Sequence, residues 1–387
     1  MPSAPVPAPR HTCRAATGPM GLAEGVTRIV LPAGHPAGHG SLQLDLTVDA
    51  GVIVAADPII GSVHRGVEKL FEVRDYRQIL ALANRHDWLA GFAGELGVAL
   101  VVEEALGLRV PERATWLRMV LAELSRLHSH LVFLGSAPHP EDPRRPIADT
   151  RPLVDALTTL LDDFSGTRMH PMVTAIGGLR MDTPAGWEDA ARHTLAWVRE
   201  SVPAHLSPFD ETVVTQRHTG LGVLSPAAAA GFGASGPVGR ASGLTLDARV
   251  VEPYLGYAAC PPRVVTDTIG DARARWAVIR GEIAATLDLL DACLAGLDRL
   301  GPGPVNMRLP KVVRVPEGEW YAVTETPLGA SGVFLVSRGA KTPARLALRT
   351  PSWGNVSALA AMLPGTPAGA IGDVVASVPF VMGDVDK

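Results

Sequence analysis

Cysteine is scarce in this 387-residue sequence, which holds only Cys13, Cys260 and Cys293. Three thiols at those spacings form no C-x-x-C pair, no four-thiolate iron-sulfur site and no disulfide framework, so the chain is expected to hold no metal by cysteine. Charge of one sign is scarce too. Lys+Arg number 35 against 39 Asp+Glu, a formal net charge of −4, so no strong field points at nucleic acid or an anionic membrane. Long apolar runs are also lacking. The longest uncharged stretches, 219–239 and 350–372, are broken by Pro and Gly and do not supply the ~20 apolar residues of a spanning helix. Any membrane association is expected to come through partner subunits. Aromatics are 5% of the chain, which leaves the core to Ala, Leu and Val.

Several signatures are missing as well. There is no G-x-x-x-x-G-K-[ST], no strand-to-helix G-x-G-x-x-G and no G-x-S-x-G, so direct binding of NADH or ATP is unsupported. Gly231, Gly233 and Gly236 read as a loop with no following helix. No H-E-x-x-H grouping marks a metal site. Residues 1–17 are rich in Pro and Ala and lack a continuous apolar segment, and they read as a disordered tail rather than a signal peptide.

Glycine and proline, by contrast, are abundant: 40 and 33 residues, together approaching a fifth of the chain against an ordinary share of about 12%. The length suits two or three units, or one large fold with insertions. Between 26 and 54 the residues alternate with the two-residue period of strands, and Asp49-Ala50-Gly51 supplies a turn. The spacing of Ile79, Leu80, Leu82, Leu89, Leu96, Leu100 and Val101 predicts helix over 75–107. Pro111-Glu112 opens a second helix whose leucines follow one face down to Gly135. The proline-rich stretch 136–152 is loop. Further helices are expected over 153–164, 187–201 and 267–300. Short strands follow over 319–323, 332–337 and 345–349, and a short helix over 356–362. The expected fold class is α+β, a helical bundle with small antiparallel β elements at both ends. A β region is placed at 18–74, the bundle at 75–302 and a mixed α/β region at 303–387.

The histidines are the first candidates for chemistry. His35 and His39 lie four apart in GHPAGHG, where small neighbours let a ligand approach; the alternative is a turn with two capping or solvent-facing histidines. Asn84-Arg85-His86-Asp87-Trp88 places polar groups inside an otherwise apolar helix, with Arg85 and Trp88 sharing a face. That is either a buried packing contact or a cation aimed at an electron-carrying or anionic group. His128 and His130 read as core histidines that hydrogen-bond between helices. Arg168 and His170, in GTRMHP, put a cation and a titratable group in a loop before Gly177-Gly178. An imidazole there could couple proton uptake to a nearby redox event, because its pKa lies near neutrality.

Taken in order, GHPAGHG, DPIIGSVHRGVEKL, RHDW, ELSRLHSHLVFLG, GTRMHP with IGGL, GPVGRASG with LDAR and EPYLGY, and the C-terminal VMGDVDK resemble one family. It is the D (49 kDa) subunit family of NADH-quinone oxidoreductase, respiratory complex I, itself related to nickel-iron hydrogenase large subunits. The resemblance runs from about Gly18 to Lys387 and implies a hydrogenase-large-subunit-like fold. It also implies a peripheral-arm subunit on the cytoplasmic face of the cell membrane, held by an iron-sulfur B-type subunit, a C-type subunit and the membrane-arm subunits of a proton-translocating complex. The chain would bind no cofactor itself. Quinone would be the substrate, reduced from an iron-sulfur cluster in the partner subunit.

Residue by residue, the resemblance gives His39 the hydrogen bond to a quinone carbonyl, with His35 beside it in the same loop. Arg85 matches the arginine next to the partner's cluster, and His170 the histidine linked to the cluster's protonation. The family's pocket tyrosine is Trp88 here. An indole stacks and donates one hydrogen bond but supplies no phenolic proton. The family's acid after LVFLG falls in Ala137-Pro138-His139-Pro140, with Glu141 and Asp142 the nearest acids. The stretch between Gly303 and Val315 is shortened, and Pro379-Phe380 stands where the family has Asp-Pro. These departures mark a divergent paralogue. They leave open a second reading, a non-catalytic scaffold in a complex I-like membrane oxidoreductase that uses another electron donor. A nickel-iron site needs two C-x-x-C pairs, one near each end of the chain. Residues 83–92 and 379–387 contain no cysteine, so hydrogenase activity is excluded.

Overall fold

A computed structural model describes residues 25–30 and 42–387. The expected tail at 1–17, together with His35 and His39, lies outside the described residues. The chain opens on an antiparallel sheet of three strands, β1 (Val26–Val30), β2 (Gln43–Asp49) and β3 (Val52–Ile59), in that spatial order. The β2–β3 turn is two residues long, and both Ala50 and Gly51 have positive φ, 47° and 80°. This is the twist that a tight hairpin requires. Alternation along β2 buries Leu44 and Leu46, which pack with Leu42, Ile53 and the C-terminal residues Phe380, Met382 and Val385.

The helical bundle is as expected in outline. The helix Glu112–Leu134 starts after Pro111 and stops at Gly135, and it packs with Arg151–Ser165, Trp187–Leu206 and Ala272–Leu300 around the largest apolar core. A C-terminal sheet of β6 (Glu317–Thr326), β7 (Gly329–Arg338) and β8 (Arg345–Arg349) follows, after the two-residue strands β4 (Thr174–Ala175) and β5 (Gly178–Leu179). The fold is therefore α+β, helical with small antiparallel sheets.

Several boundaries differ from expectation, each for a physical reason. The stretch 75–107 is two helices, Tyr76–Asn84 and Gly91–Ala105. Asp87 ends the continuity by accepting hydrogen bonds from the backbone N–H groups of Leu89 and Ala90, at 3.0 and 3.1 Å, so its side chain serves a new helix start instead of a helix interior. Arg85 and Trp88 consequently share no helical face. The 187–206 helix passes through Pro203, which sits close enough to the end for the lost backbone bond to be tolerated. Asp271 caps the long helix at Ala274, so it begins at Ala272 rather than 267. Gly236 opens the short helix Gly236–Ala241, which corrects the loop reading of that stretch. Residues 351–362 form two short helices, Pro351–Ser357 and Leu359–Met362. No described helix is long and apolar enough to cross a membrane.

Candidate functional site

The RHDW segment is the connection between the helices Tyr76–Asn84 and Gly91–Ala105, and glycines set how closely those helices approach. A Cβ on Gly91 would lie 2.9 Å from the Asn84 carbonyl oxygen and 3.2 Å from Asn84 Oδ1. A Cβ on Gly94 would collide with the Ala83 carbonyl. The two backbones therefore touch, and the Asn84 amide fits into the space that Gly91 leaves.

The C-terminal segment docks on the same connection. His86 Nε2 is 3.3 Å from Asp384 Oδ1, and both side chains are buried. Burial opposes a charged His86, but the Asp384 carboxylate outweighs it, so the imidazole sits above its ordinary pKa. Burial, with Asp384 close by, pushes Asp87 up to about 7. Asp386 accepts from the backbone N–H groups of Gly61 and Val63 at 2.7 and 2.9 Å, and the Asp386 carbonyl is 2.9 Å from His64 Nδ1. Thus DPIIGSVHRG, RHDW and VMGDVDK, which span more than 300 positions of sequence, converge. The ends of β1 and β2 that bracket the loop of His35 and His39 lie beside this point, since Val30 pairs with Gln43 and Gln43 with Ile59.

Trp88 is half-buried and packs with Leu89, Val132, Leu328 and Val381. Arg85 turns elsewhere. Its guanidinium donates to the Ala81 carbonyl at 3.2 Å and reaches Met172 Sδ at 2.9 Å. His170 lies on the Arg85 side, with Nδ1 2.7 Å from Asn84 Oδ1. Burial and then the Arg85 charge hold His170 below its ordinary pKa, against the hydrogen bond to Asn84. The structure therefore brings Arg85 and His170 together around Asn84. Trp88 stands apart from them in an apolar group with the C-terminal segment.

Sequence reasoning named Asn84 only as part of the polar segment 84–88, with no role of its own, and did not single out Glu95 or Asp384. Glu95 is fully buried; its Oε1 accepts from Asn84 Nδ2 at 2.6 Å and its Oε2 from the Thr174 N–H at 3.0 Å. Burial pushes its carboxyl up to about 8. The signal was present in GFAGELGVALVV, where one acid stands in an apolar helix with Gly91, Gly94 and Gly97 at three-residue spacing. His128, partly buried, lies 3.1 Å from Thr158 Oγ1 on the neighbouring helix, as expected; His130, buried, instead lies 3.1 Å from the Pro327 carbonyl in the β6–β7 turn. Burial lowers both to about 4. Asp142 pairs with Arg144 at 2.9 Å within its own loop.

The remaining motifs meet in one buried charged network. Arg126 bridges Glu123 and the carbonyls of Glu325 and Thr326. Arg240 binds Glu282 and Glu325, each at 2.7 Å, and Arg249 binds Glu123 at 3.0 Å and Asp247 at 2.7 Å. Tyr257 donates to Glu123 at 2.7 Å. GPVGRASG, LDAR and EPYLGY thus tie the bundle to the C-terminal sheet.

Comparison with known proteins gives the family. The family described as "Respiratory-chain NADH dehydrogenase, 49 Kd subunit" matches residues 154–314 and 307–387. The chain is 52% identical over 365 residues to a D-type NADH-quinone oxidoreductase subunit of Salinispora tropica, the one numbered 2, covering 93% of this chain and 94% of that one. It is 48% identical over 370 residues to the D-type subunit numbered 1 of Streptomyces coelicolor, covering 93% and 96%. Among solved structures, a chain of the membrane-bound sulfane sulfur reductase, an archaeal respiratory membrane complex, superposes with a TM-score of 0.85 at 26% identity, covering 95% of this chain and all of that one. The chain belongs to the 49 kDa subunit family of respiratory NADH dehydrogenases, the D-type subunits of NADH-quinone oxidoreductase, and is an oxidoreductase subunit of a multisubunit respiratory complex.

Proposed function

We propose that this chain forms the quinone-headgroup pocket of a proton-translocating complex, on the cytoplasmic face of the membrane, beside the terminal iron-sulfur cluster of a B-type partner. The C-type subunit and the membrane arm complete the assembly. The observation that carries this reading is the pairing of Arg85 with His170 around Asn84, because it puts a fixed cation and a titratable imidazole on one surface patch. A cation near a cluster favours its reduced form, and an imidazole that gains a proton on reduction couples electron arrival to proton uptake. His39 donates the hydrogen bond to a quinone carbonyl, with His35 beside it. Trp88 stacks on the ring or donates from its indole, which takes no hydrogen-bond partner among the described residues.

Quinone reduction by the assembled complex tests this reading. His39→Ala is expected to lower it by tenfold or more, on the order of the loss of one charge-developing hydrogen bond. Unchanged turnover overturns the role of His39. His170→Ala is expected to flatten the pH dependence of the partner cluster's midpoint potential.

A second reading, a scaffold that turns nothing over in a complex with another electron donor, is favoured by Trp88 in place of a phenol and by a structural neighbour named for sulfane sulfur reduction rather than for quinone. Protection of Trp88 from oxidative labelling by a quinone-site inhibitor counts against it. So does an NADH-oxidising flavin module that purifies with the chain and drives quinone reduction.

A further inference from the structure

A buried acid, an amide and a half-buried imidazole lie in line. Glu95 and Asn84 are fully buried, and His170 stands at the surface end. A primary amide has one donating and one accepting end. The Asn84 Nδ2 group is engaged at 2.6 Å by Glu95 Oε1, so the carbonyl end is the one that meets His170, 2.7 Å from Nδ1. A carbonyl oxygen only accepts, so Nδ1 carries the hydrogen.

We propose that Asn84 and Glu95 are the positioning residues for His170: the Asn84 amide holds the imidazole as its Nδ1–H tautomer, leaving Nε2 to exchange a proton, and the Glu95 carboxyl orients that amide. This rests on the reading of His170 given above and adds to it the atom that titrates and the groups that select it.

The carboxyl performs this role in its neutral form. Oε1 keeps its lone pairs for Asn84, Oε2 accepts from the Thr174 N–H, and the acid proton on Oε2 has a place to go: the Thr174 hydroxyl adjoins the carboxyl, is buried, and has no hydrogen-bond partner of its own. The elevated Glu95 pKa agrees with that arrangement. The charged groups facing the pair are Arg180, which acts on Glu95, and Arg85, which acts on His170. Arg168, on the same loop as His170, turns to Asp162 at 3.4 Å. No carboxylate in this set holds His170 charged, so its proton affinity depends on the accepting end of Asn84.

The test is the titration midpoint of His170 in the complex isolated in mild detergent, read by mass-spectrometric exchange of the imidazole C2 hydrogen, with exposed His193 as internal reference. Asn84→Asp puts a carboxylate where the amide carbonyl was and is expected to raise the midpoint by about one unit or more. Asn84→Leu removes the acceptor and is expected to lower it by about half a unit. Glu95→Gln keeps a neutral acceptor toward Asn84 and is expected to leave it within about 0.3 units. The proposal is overturned if the Asp and Leu variants titrate like the parent, or if Glu95→Gln shifts the midpoint by a full unit as loss of a charge would. If Asn84→Leu fails to assemble, the near-isosteric Asp variant decides. The exchange midpoint does not involve the cluster, whereas the wider reading fails separately, through the potential measured in His170→Ala.

Discussion

A side chain on Gly383 would collide with the carbonyl oxygen of His86. The C-terminal VMGDVDK therefore lies directly on the backbone of the RHDW connection, and the His86–Asp384 pair at 3.3 Å fixes it there. Position 383 has no freedom to move aside, because the chain is tied down on both sides of it: Val381 N–H donates to Ser352 Oγ before it, and after it Asp384 accepts from Ser352 N–H and Asp386 from the N–H groups of Gly61 and Val63.

Gly383→Ala is accordingly expected to cost about 1–3 kcal/mol, the usual range for a group forced into a packed interior. The struck atom is backbone, which argues for the upper end of that range. Thermal denaturation of the full chain reads the effect, and a midpoint equal to the parent's would show that the segment docks with slack.

Gly91→Ala acts one step further from the surface. Its Cβ would come within 2.9 Å of the Asn84 carbonyl and 3.2 Å of Oδ1, tighter than ordinary van der Waals contact. The amide must then tilt away from His170. The expected result is a modest loss of stability, about 1–2 kcal/mol, together with a downward shift of the His170 midpoint. Loss of stability alone, with the midpoint unmoved, would mean that the helices separate without disturbing Asn84.

How far the sequence could be read depended on range. The helix Glu112–Leu134 was legible because its signals are local: Pro111 at the start, leucines on one face and Gly135 at the stop. The β2–β3 turn was legible for the same reason. The break at 85–90 was not, because no Pro or Gly marks it, and a carboxylate that caps the next helix looks in sequence like any polar residue. The nearness of Arg85 to His170 crosses 85 positions, and only the family resemblance pointed at both. The pairing of Asn84 with Glu95 escaped notice because what makes them a pair is the close crossing of two helices, and the glycines that allow it mean little until the partner backbone is seen.

The buried network tests another part of the chain. Arg249 is held between Glu123 and Asp247, and all three side chains are buried. Arg249→Met takes one of two cations from Glu123, which keeps Arg126 at 3.0 Å, and the nearer of two from Asp247, which keeps Arg240 at 3.9 Å; breaking a buried pair typically costs about 3–5 kcal/mol, and the remaining cations argue for the lower end of that range. Glu123 should then titrate upward, since the Arg249 charge helps to hold it below its ordinary value against burial. The variant is expected to unfold at a lower denaturant concentration, with part of the loss recovered on mild acidification. A loss independent of pH would place the defect in packing rather than charge.

Glu95 supplies a pH signature of the fold itself. Its carboxyl goes from an ordinary value of 4.5 to about 8 in the folded chain. Below pH 4.5 both states hold the proton and the group contributes no pH dependence. Between 4.5 and about 8 the unfolded chain releases the proton while the folded chain keeps it, so stability falls as pH rises; above about 8 the loss is complete. The full window is worth on the order of 5 kcal/mol. Glu95→Gln has no proton to release, so its stability relative to the parent should improve steadily across that window and level off beyond it. Unfolding of both chains at a series of pH values checks this, and a difference that stays constant with pH would show that Glu95 is ionised in the folded chain.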